Sequence, residues 1–422
     1  MLGSNKVVNS RLNELEEIVS AGISPWHQDG FVPNKLHRIA ARTGSFPPAL
    51  ANCLISKFSK TDDVILDLFS GRGTTLLEAI LLGRRALGCD ISQEAFILSK
   101  AKVKPASKEL ASRYIRSKED AVKSEGRNVN LRKIPKSVAQ FYHPHTLRQL
   151  VATFKVLNAD CSFGNTMEKR LAFHALGCLI GILHGPSIMY LSLKCSHAYS
   201  MSPMYVQRYV LEYQRTHPGD KKFEAPKRDV IDCLIKKSDQ VALAASILDQ
   251  ISTRGCDAYW MDAKNFDPYK KRSNTIDLIV TSPPYLAAQT YPWDNWLRLW
   301  FLGHEYQAVQ KEMRLITEDE QIYKQEMRCI FTKMFSLLKP GGLAFIIVGD
   351  VKKHRQKDRK PFIKIVNLAE ILVEDACSVG FLFKRLFDDK IPRSRRSTYT
   401  FHDGRAGTLM DRILCLQKPF RS

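Results

Sequence analysis

The sequence predicts an α/β fold: an open, largely parallel sheet interrupted by a helical stretch. Three observations lead there. A strand, a glycine turn, a helix and a second strand follow one another without a break from Val64 to Ile91. Apolar strands return from Cys256 onwards, alternating with segments of helical periodicity. Between them, residues 101–252 carry mainly helical patterning. The expected division is therefore residues 1–100, an N-terminal segment with the first half of the sheet; 101–252, a mostly helical insertion; and 253–422, the second half.

Taken in order, Ser10 to Val19 reads as a helix, and a second apolar pattern runs from Phe46-Pro47-Pro48 through Leu50, Cys53, Leu54 and Ile55 to about Phe58. Thr61-Asp62-Asp63 turns the chain into Val64–Phe69, apolar on both faces as a central parallel strand should be. Ser70-Gly71-Arg72-Gly73-Thr74-Thr75 follows, then a helix over Leu76–Leu82, Gly83, and a strand over Ala86–Ile91. In such a unit the turn backbone and helix N-terminus hold a ligand, and the acid ending the second strand, Asp90, accepts from ribose hydroxyls. The ligand is not a dinucleotide, since Leu76 stands where the third glycine belongs, nor a nucleoside triphosphate, since the turn has no lysine. A molecule with ribose and adenine but no pyrophosphate fits, and S-adenosyl-L-methionine is one.

The insertion is basic at first (Lys100, Lys102, Lys104, Arg113, Arg116, Lys118), then helical over Leu147–Leu157, Met167–Leu183, Val206–Tyr213 and Val241–Ile251. Tyr190–Pro203 reads as an ordered loop and Gly219–Arg228 as a charged linker. Cys256–Asp262 is the next strand, and its terminal Asp262 suits an adenine amino group. Ile276–Val280 follows, stopped by Ser282-Pro283-Pro284-Tyr285. Trp293, Trp296 and Trp300 recur at helical spacing and belong to a core. Phe331–Leu338 is a helix closed by Lys339-Pro340-Gly341-Gly342. Strands Leu343–Val348, Phe381–Phe387 and Ile413–Leu416 and a helix over Ile363–Val379 complete the sheet.

The balance of 64 basic against 43 acidic residues, a net +21, points to a polyanionic partner. No apolar run reaches the roughly 18 residues of a membrane span, and Met1–Asn9 has no signal-peptide pattern. Ten cysteines without a C-x-x-C pair argue for a reducing, cytoplasmic setting and against structural zinc. His143, His145, His184 and His197 have no acid or cysteine at ligand spacing, and no metal is assigned.

The two prolines fix φ and donate no N–H, so carbonyls in the turn after Val280 are left to accept from a ligand. Ser282 adds an acceptor and Tyr285 a stacking face, which together suit a planar base bearing an amino group. Read with the upstream turn, Asp67-Leu68-Phe69-Ser70-Gly71-Arg72-Gly73-Thr74-Thr75 resembles the cofactor motif of the DNA amino-methyltransferases, and Thr281-Ser282-Pro283-Pro284-Tyr285 resembles their catalytic motif in its N4-cytosine form. Phe46-Pro47-Pro48 is similar to the segment that closes over the methionine end of the cofactor. The resemblance implies a Rossmann-like class I methyltransferase sheet, with cofactor contacts from Phe46, Asp67, Phe69, Gly71, Gly73, Thr74, Thr75, Asp90 and Asp262. It further implies methyl transfer to cytosine N4 of double-stranded DNA, with catalysis by Ser282, Pro283, Pro284 and Tyr285 and a cognate restriction endonuclease as partner. Basic residues at strand ends, Lys352, Lys353, Arg355, Arg393, Arg395 and Arg396, are the candidate phosphate contacts.

An exocyclic amine is a poor nucleophile because its lone pair is delocalised into the ring. Acceptors at Ser282 Oγ and the Pro283 carbonyl would draw it towards a pyramidal geometry, on a base flipped from the duplex and stacked on Tyr285. Carbon-5 methylation is excluded, because the chain has no Pro-Cys dipeptide. The alternatives are adenine N6, whose enzymes more often carry Asp or Asn at the Ser282 position, a structured-RNA base, and a non-catalytic nucleic-acid-binding subunit.

Overall fold

The computed structural model describes residues 2–22, 24–28, 30–41, 45–185, 189–194, 210–220, 224–243, 245–268, 273–286, 291–357, 360–392 and 410–420. Seven strands form one sheet in the order β3-β2-β1-β4-β5-β9-β8. They are β1 Val64–Asp67, β2 Arg85–Asp90, β3 Asp257–Trp260, β4 Ile276–Thr281, β5 Leu338–Gly349, β8 Leu382–Lys390 and β9 Met410–Gln417. The first five are parallel to their neighbours, and β9 runs antiparallel between β5 and β8. Numbered within this sheet alone the order is 3-2-1-4-5-7-6 with the seventh strand reversed, the Rossmann-like class I methyltransferase arrangement expected from the sequence. Strand order reverses where β1 meets β4, and at such a switch point the crevice outside the strands' carboxyl ends accepts a ligand.

Alternation along each strand sorts its side chains between two layers. Ile65, Leu278, Val280, Phe345 and Ile413 face the helices α1 (Leu2–Ser20), α2 (Pro48–Phe58) and α3 (Thr74–Leu81). Leu66, Ile279, Ile346 and Leu414 face the helices Glu320–Leu337 and Leu368–Val379 on the other side. A third cluster lies beyond α4 (Gln93–Val103), where insertion helices Pro144–Phe163 and Thr166–Ile182 bury Leu150 and Leu179 with Ile39, Ile97, Trp296 and Phe301. The insertion thus shares a core with segments from both ends of the chain, and Trp296 is a core residue as the spacing implied.

Several sequence expectations are corrected. The helix expected over Val241–Ile251 is shorter, Ala245–Gln250, and a helix that was not expected, Val230–Val241, precedes it; between them Ala242 is extended and Leu243 bridges to Ser107. The helix expected over Phe331–Leu338 is the end of Glu320–Leu337 and stops just before Lys339-Pro340-Gly341-Gly342, as expected, but those four residues already belong to β5, held by the bond from the Gly341 N–H to the Lys418 carbonyl. The basic run after β5 is an antiparallel ribbon, β6 (Val351–Lys357) and β7 (Lys360–Val366), so the helix expected from Ile363 begins only at Leu368. Of the expected helix Val206–Tyr213, residues 206–209 lie outside the described residues, as do 195–203 of the Tyr190–Pro203 loop and 221–223 of the linker. Among the described residues no helix is long and apolar enough to cross a membrane.

The chain's start is fastened to the sheet's far edge. The Ser24 hydroxyl and the Trp26 indole N–H each donate to the Asp389 carboxylate at 2.7 Å, and His27 Nε2 lies 2.9 Å from it. Asp389 is fully buried on β8. Arg385 of the same strand pairs with Glu16 of α1.

Candidate active site

The glycine turn is shaped by its backbone. Gly71 and Gly73 have φ of +50° and +73°, values a side chain disfavours. At Gly73 a Cβ would also lie 3.0 Å from Ser99 Cα. The turn is pinned from below by the Gly71 N–H, which donates to Asp90 Oδ2 at 2.9 Å, while the Ser92 N–H donates to Oδ1 at 2.9 Å. Both oxygens of Asp90 are thereby oriented.

The two motifs are bonded to each other. The Thr281 hydroxyl, at the end of β4, donates to Asp67 Oδ1 at 2.5 Å, and the Thr75 hydroxyl donates to the Val280 carbonyl at 3.2 Å. Burial pushes the Asp67 carboxyl up to about 6, against the hydrogen bonds it receives. Beneath the turn, His37 Nε2 lies 2.7 Å from Glu78 Oε1. Burial holds the histidine down to about 2 and the glutamate up to about 7, drawing both partners towards their neutral forms.

One cleft of about 940 Å³, part of it open to solvent, lies over the carboxyl ends of β1 and β4. The first half of the chain lines it with Phe46, Asp67, Phe69, Gly71, Thr74 and Asp90, the second with Asp262, Ser282 and Pro284. Gly73, Thr75, Pro283 and Tyr285 do not line it. Gly73 caps α3, and Thr75 is buried. The Tyr285 ring is half-buried against the core that contains Tyr323, and its hydroxyl is hydrogen-bonded to Ser282. Burial, then the nearby Asp411 carboxylate, drives that hydroxyl well above its usual range. The Tyr323 hydroxyl donates to the Pro284 carbonyl at 2.9 Å, whereas nothing among the described residues donates to the Pro283 carbonyl. Of the two proline carbonyls, Pro283's has no donor among the described residues, though Pro283 itself is buried.

Residues that the sequence did not single out complete the wall. Asp262 Oδ1 accepts from the Lys264 N–H at 2.8 Å, the Lys264 ammonium reaches Glu326 Oε2 at 2.5 Å, and Arg314 reaches Glu326 Oε1 at 3.0 Å. No motif announces Lys264, Arg314, Tyr323 or Glu326; Glu326 and Tyr323 are buried positions on an ordinary amphipathic helix. In all, five acids line the cleft (Asp67, Asp90, Asp262, Glu312, Glu326) against three bases (Arg72, Lys264, Arg314). In a chain of net +21 that local excess of acid suits a cationic ligand.

Among the candidate phosphate contacts, Lys352, Lys353 and Arg355 fall on β6, whose side chains lie outside what is described, and Arg393, Arg395 and Arg396 lie outside the described residues altogether.

Sheet order defines a Rossmann-like fold of the class I methyltransferase type. Within that class, residues 11–101 match the N6/N4 methyltransferase family model, described as DNA methylase. The match takes in Phe46, the glycine turn and Asp90, and ends before Ser282. No curated protein matches the chain. Among solved structures, an S-adenosylmethionine-dependent methyltransferase of Methanosarcina mazei aligns at TM-score 0.32 and 11% identity, covering 87% of this chain and 98% of its own. A candidate DNA modification methylase of Thermus thermophilus, complexed with S-adenosyl-L-methionine, aligns at 0.22 and 22%, over 36% of this chain and 50% of its own. TrmN of Thermus thermophilus aligns at 0.33 and 10%, over 91% and 52%. At such scores these likenesses bear no weight on the site.

Proposed function

We propose that the protein transfers a methyl group from S-adenosyl-L-methionine to an exocyclic amino group of a base in double-stranded DNA, with cytosine N4 as the acceptor. One observation carries the reading. The glycine turn and the Ser-Pro-Pro-Tyr turn, more than 200 residues apart in sequence, open into a single cleft and are bonded through Asp67 and Thr281. The DNA methylase match over residues 11–101 supports DNA as the substrate.

The residues fit the cofactor. Asp90 stands at the end of β2 with both oxygens oriented by backbone N–H groups, placed for ribose hydroxyls, Asp262 lines the cleft for the adenine amine, and Phe46 and Phe69 offer apolar walls. The acidic lining favours a sulfonium. When bound, the cofactor supplies an electrophilic methyl. The chain's own part is positioning and electrostatics. Ser282 Oγ and the Pro283 carbonyl, which has no donor among the described residues, take the two amino hydrogens of the acceptor base once the loop admits it, and Tyr323 fixes the loop by holding the Pro284 carbonyl. The Tyr285 ring, half-buried beside Ser282, is the platform on which an extruded base stacks. Serine accepts one strong bond where an acid or amide would accept more strongly, which favours cytosine over adenine.

The test incubates the protein with varied duplexes and methyl-labelled cofactor, then identifies the modified nucleoside by mass. N4-methylcytosine is the expected product. N6-methyladenine would keep the chemistry and change the base, whereas label in structured RNA alone would overturn the assignment to DNA.

A further inference from the structure

One wall of the cleft carries a row of charged groups that are unequally spaced. Lys264 Nζ lies 2.5 Å from Glu326 Oε2 but 3.4 Å from Asp262 Oδ2, and Arg314 Nη1 lies 3.0 Å from Glu326 Oε1. Signs alternate along the row from Arg314 through Glu326 and Lys264 to Asp262, and every member lines the cleft. Two carboxylates thus compete for one ammonium. Attraction grows as distance shrinks and as water is excluded, and both favour Glu326, which is 5% exposed while Asp262 is only half-buried. The other oxygen of Asp262 is already engaged, because Oδ1 accepts from the Lys264 N–H at 2.8 Å and caps the short turn Ala263–Asn265. Among the described residues Oδ2 has no closer partner than the ammonium at 3.4 Å.

We propose that Glu326 is a positioning residue for the cofactor: by drawing the Lys264 ammonium to itself, it keeps Asp262 Oδ2 available to the adenine amine. This rests on reading the cleft as the S-adenosyl-L-methionine site, and it makes cofactor affinity depend on a residue that acts only through its neighbours. An amine donating to an ionised acceptor makes a stronger bond than to a neutral one. An ammonium seated fully on Asp262 would occupy that oxygen and offset its charge. Arg314, reaching the second oxygen of Glu326 from the segment 312–316, fixes the carboxylate's orientation towards Lys264. The helix Glu320–Leu337 packs against the turn Ala263–Asn265 and sets the spacing. One turn earlier on the same helix face, the Tyr323 hydroxyl holds the Pro284 carbonyl. A single helix face therefore bears on the cofactor wall through Glu326 and on the Ser-Pro-Pro-Tyr turn through Tyr323, and the two effects are separable.

The test uses the full chain, with S-adenosyl-L-methionine affinity read by calorimetry and turnover measured at saturating cofactor. Glu326→Gln keeps the shape and removes the charge, so affinity should fall about ten-fold while saturated turnover falls by less than about three-fold. Adding Lys264→Met to that variant removes the competitor and should recover most of the affinity, a non-additivity that a merely structural role would not give. Tyr323→Phe, which loosens the turn and leaves the charged row intact, should keep affinity within about three-fold of wild type. Wild-type affinity in Glu326→Gln, a loss that Lys264→Met fails to recover, or an equal loss in Tyr323→Phe would each overturn the assignment. Should Glu326→Gln not fold, as judged by its urea midpoint, Lys264→Met alone decides: it should bind the cofactor at least as tightly as wild type, and weaker binding refutes the competition. A wild-type chain that binds the cofactor but methylates no duplex sinks only the substrate reading, and the affinity series still decides Glu326. A wild-type chain that binds no cofactor sinks the reading of the cleft and the role of Glu326 with it.

Discussion

Burial drives the Asp67 carboxyl towards its neutral form, up to about 6 from an ordinary 3.8, against the bonds from Thr281, Thr75 and the Phe69 N–H that favour the charge. The folded chain therefore holds this proton more tightly than the unfolded chain. The stability so contributed is complete below about pH 4 and is lost as pH rises through 6. Asp67→Asn removes the titration, so its stability relative to wild type should improve between pH 4 and 8 by on the order of 2 kcal/mol. Urea midpoints at the two pH values measure this, and a difference independent of pH refutes it. At Ser282 the effect should be on chemistry. Ser282→Ala should lower turnover on the order of 100-fold while cofactor affinity, read by calorimetry, stays near wild type. Tyr285→Phe deletes the hydroxyl bonded to Ser282 but keeps a ring for stacking, so it should cost less turnover than Tyr285→Ala. Equal losses would mean that the hydroxyl, not the ring, matters.

Among the elements, the glycine turn is held by sterics and the Ser-Pro-Pro-Tyr turn by borrowed hydrogen bonds. Gly73→Ala meets both a positive φ and Ser99 Cα at 3.0 Å, so it should destabilise by about 1–3 kcal/mol in urea. Gly22 also has a positive φ, +110°, but nothing within 4 Å of an added Cβ, and Gly22→Ala should cost clearly less. How far the elements were legible follows from the range of the signals. All seven strands of the main sheet could be read, the central ones because each is an apolar run ended by a turn or acid, and the β1–α3–β2 unit is written contiguously in Val64–Asp90. The ribbon was not legible: Lys352–Lys357 looks solvated as a run, and only pairing with Lys360–Val366 turns it into strand. The same limit explains Tyr323 and Glu326. They act through partners 39 and 62 residues away, Pro284 and Lys264, and nothing local marks them. Asp90 was legible because its strand-end position carries the meaning; that both its oxygens would be tethered by backbone N–H groups was not.

For the whole molecule, the bond set at Asp389 ties residues 24–27 to a strand more than 360 positions later. Asp389→Ala would strand three donors in a buried site and should destabilise by about 3–5 kcal/mol. Limited proteolysis should then release the first 30 or so residues before the sheet is cut; an unchanged digestion pattern would contradict the clamp. The same tether has a consequence for synthesis. Residues 24–27 leave the ribosome more than 360 residues ahead of Asp389 and cannot dock until β8 has been made, so Trp26 lacks its carboxylate partner over that whole interval. A nascent chain of this kind is an early customer for a chaperone, and a stop codon anywhere before Asp389 would leave its opening residues with no place to settle.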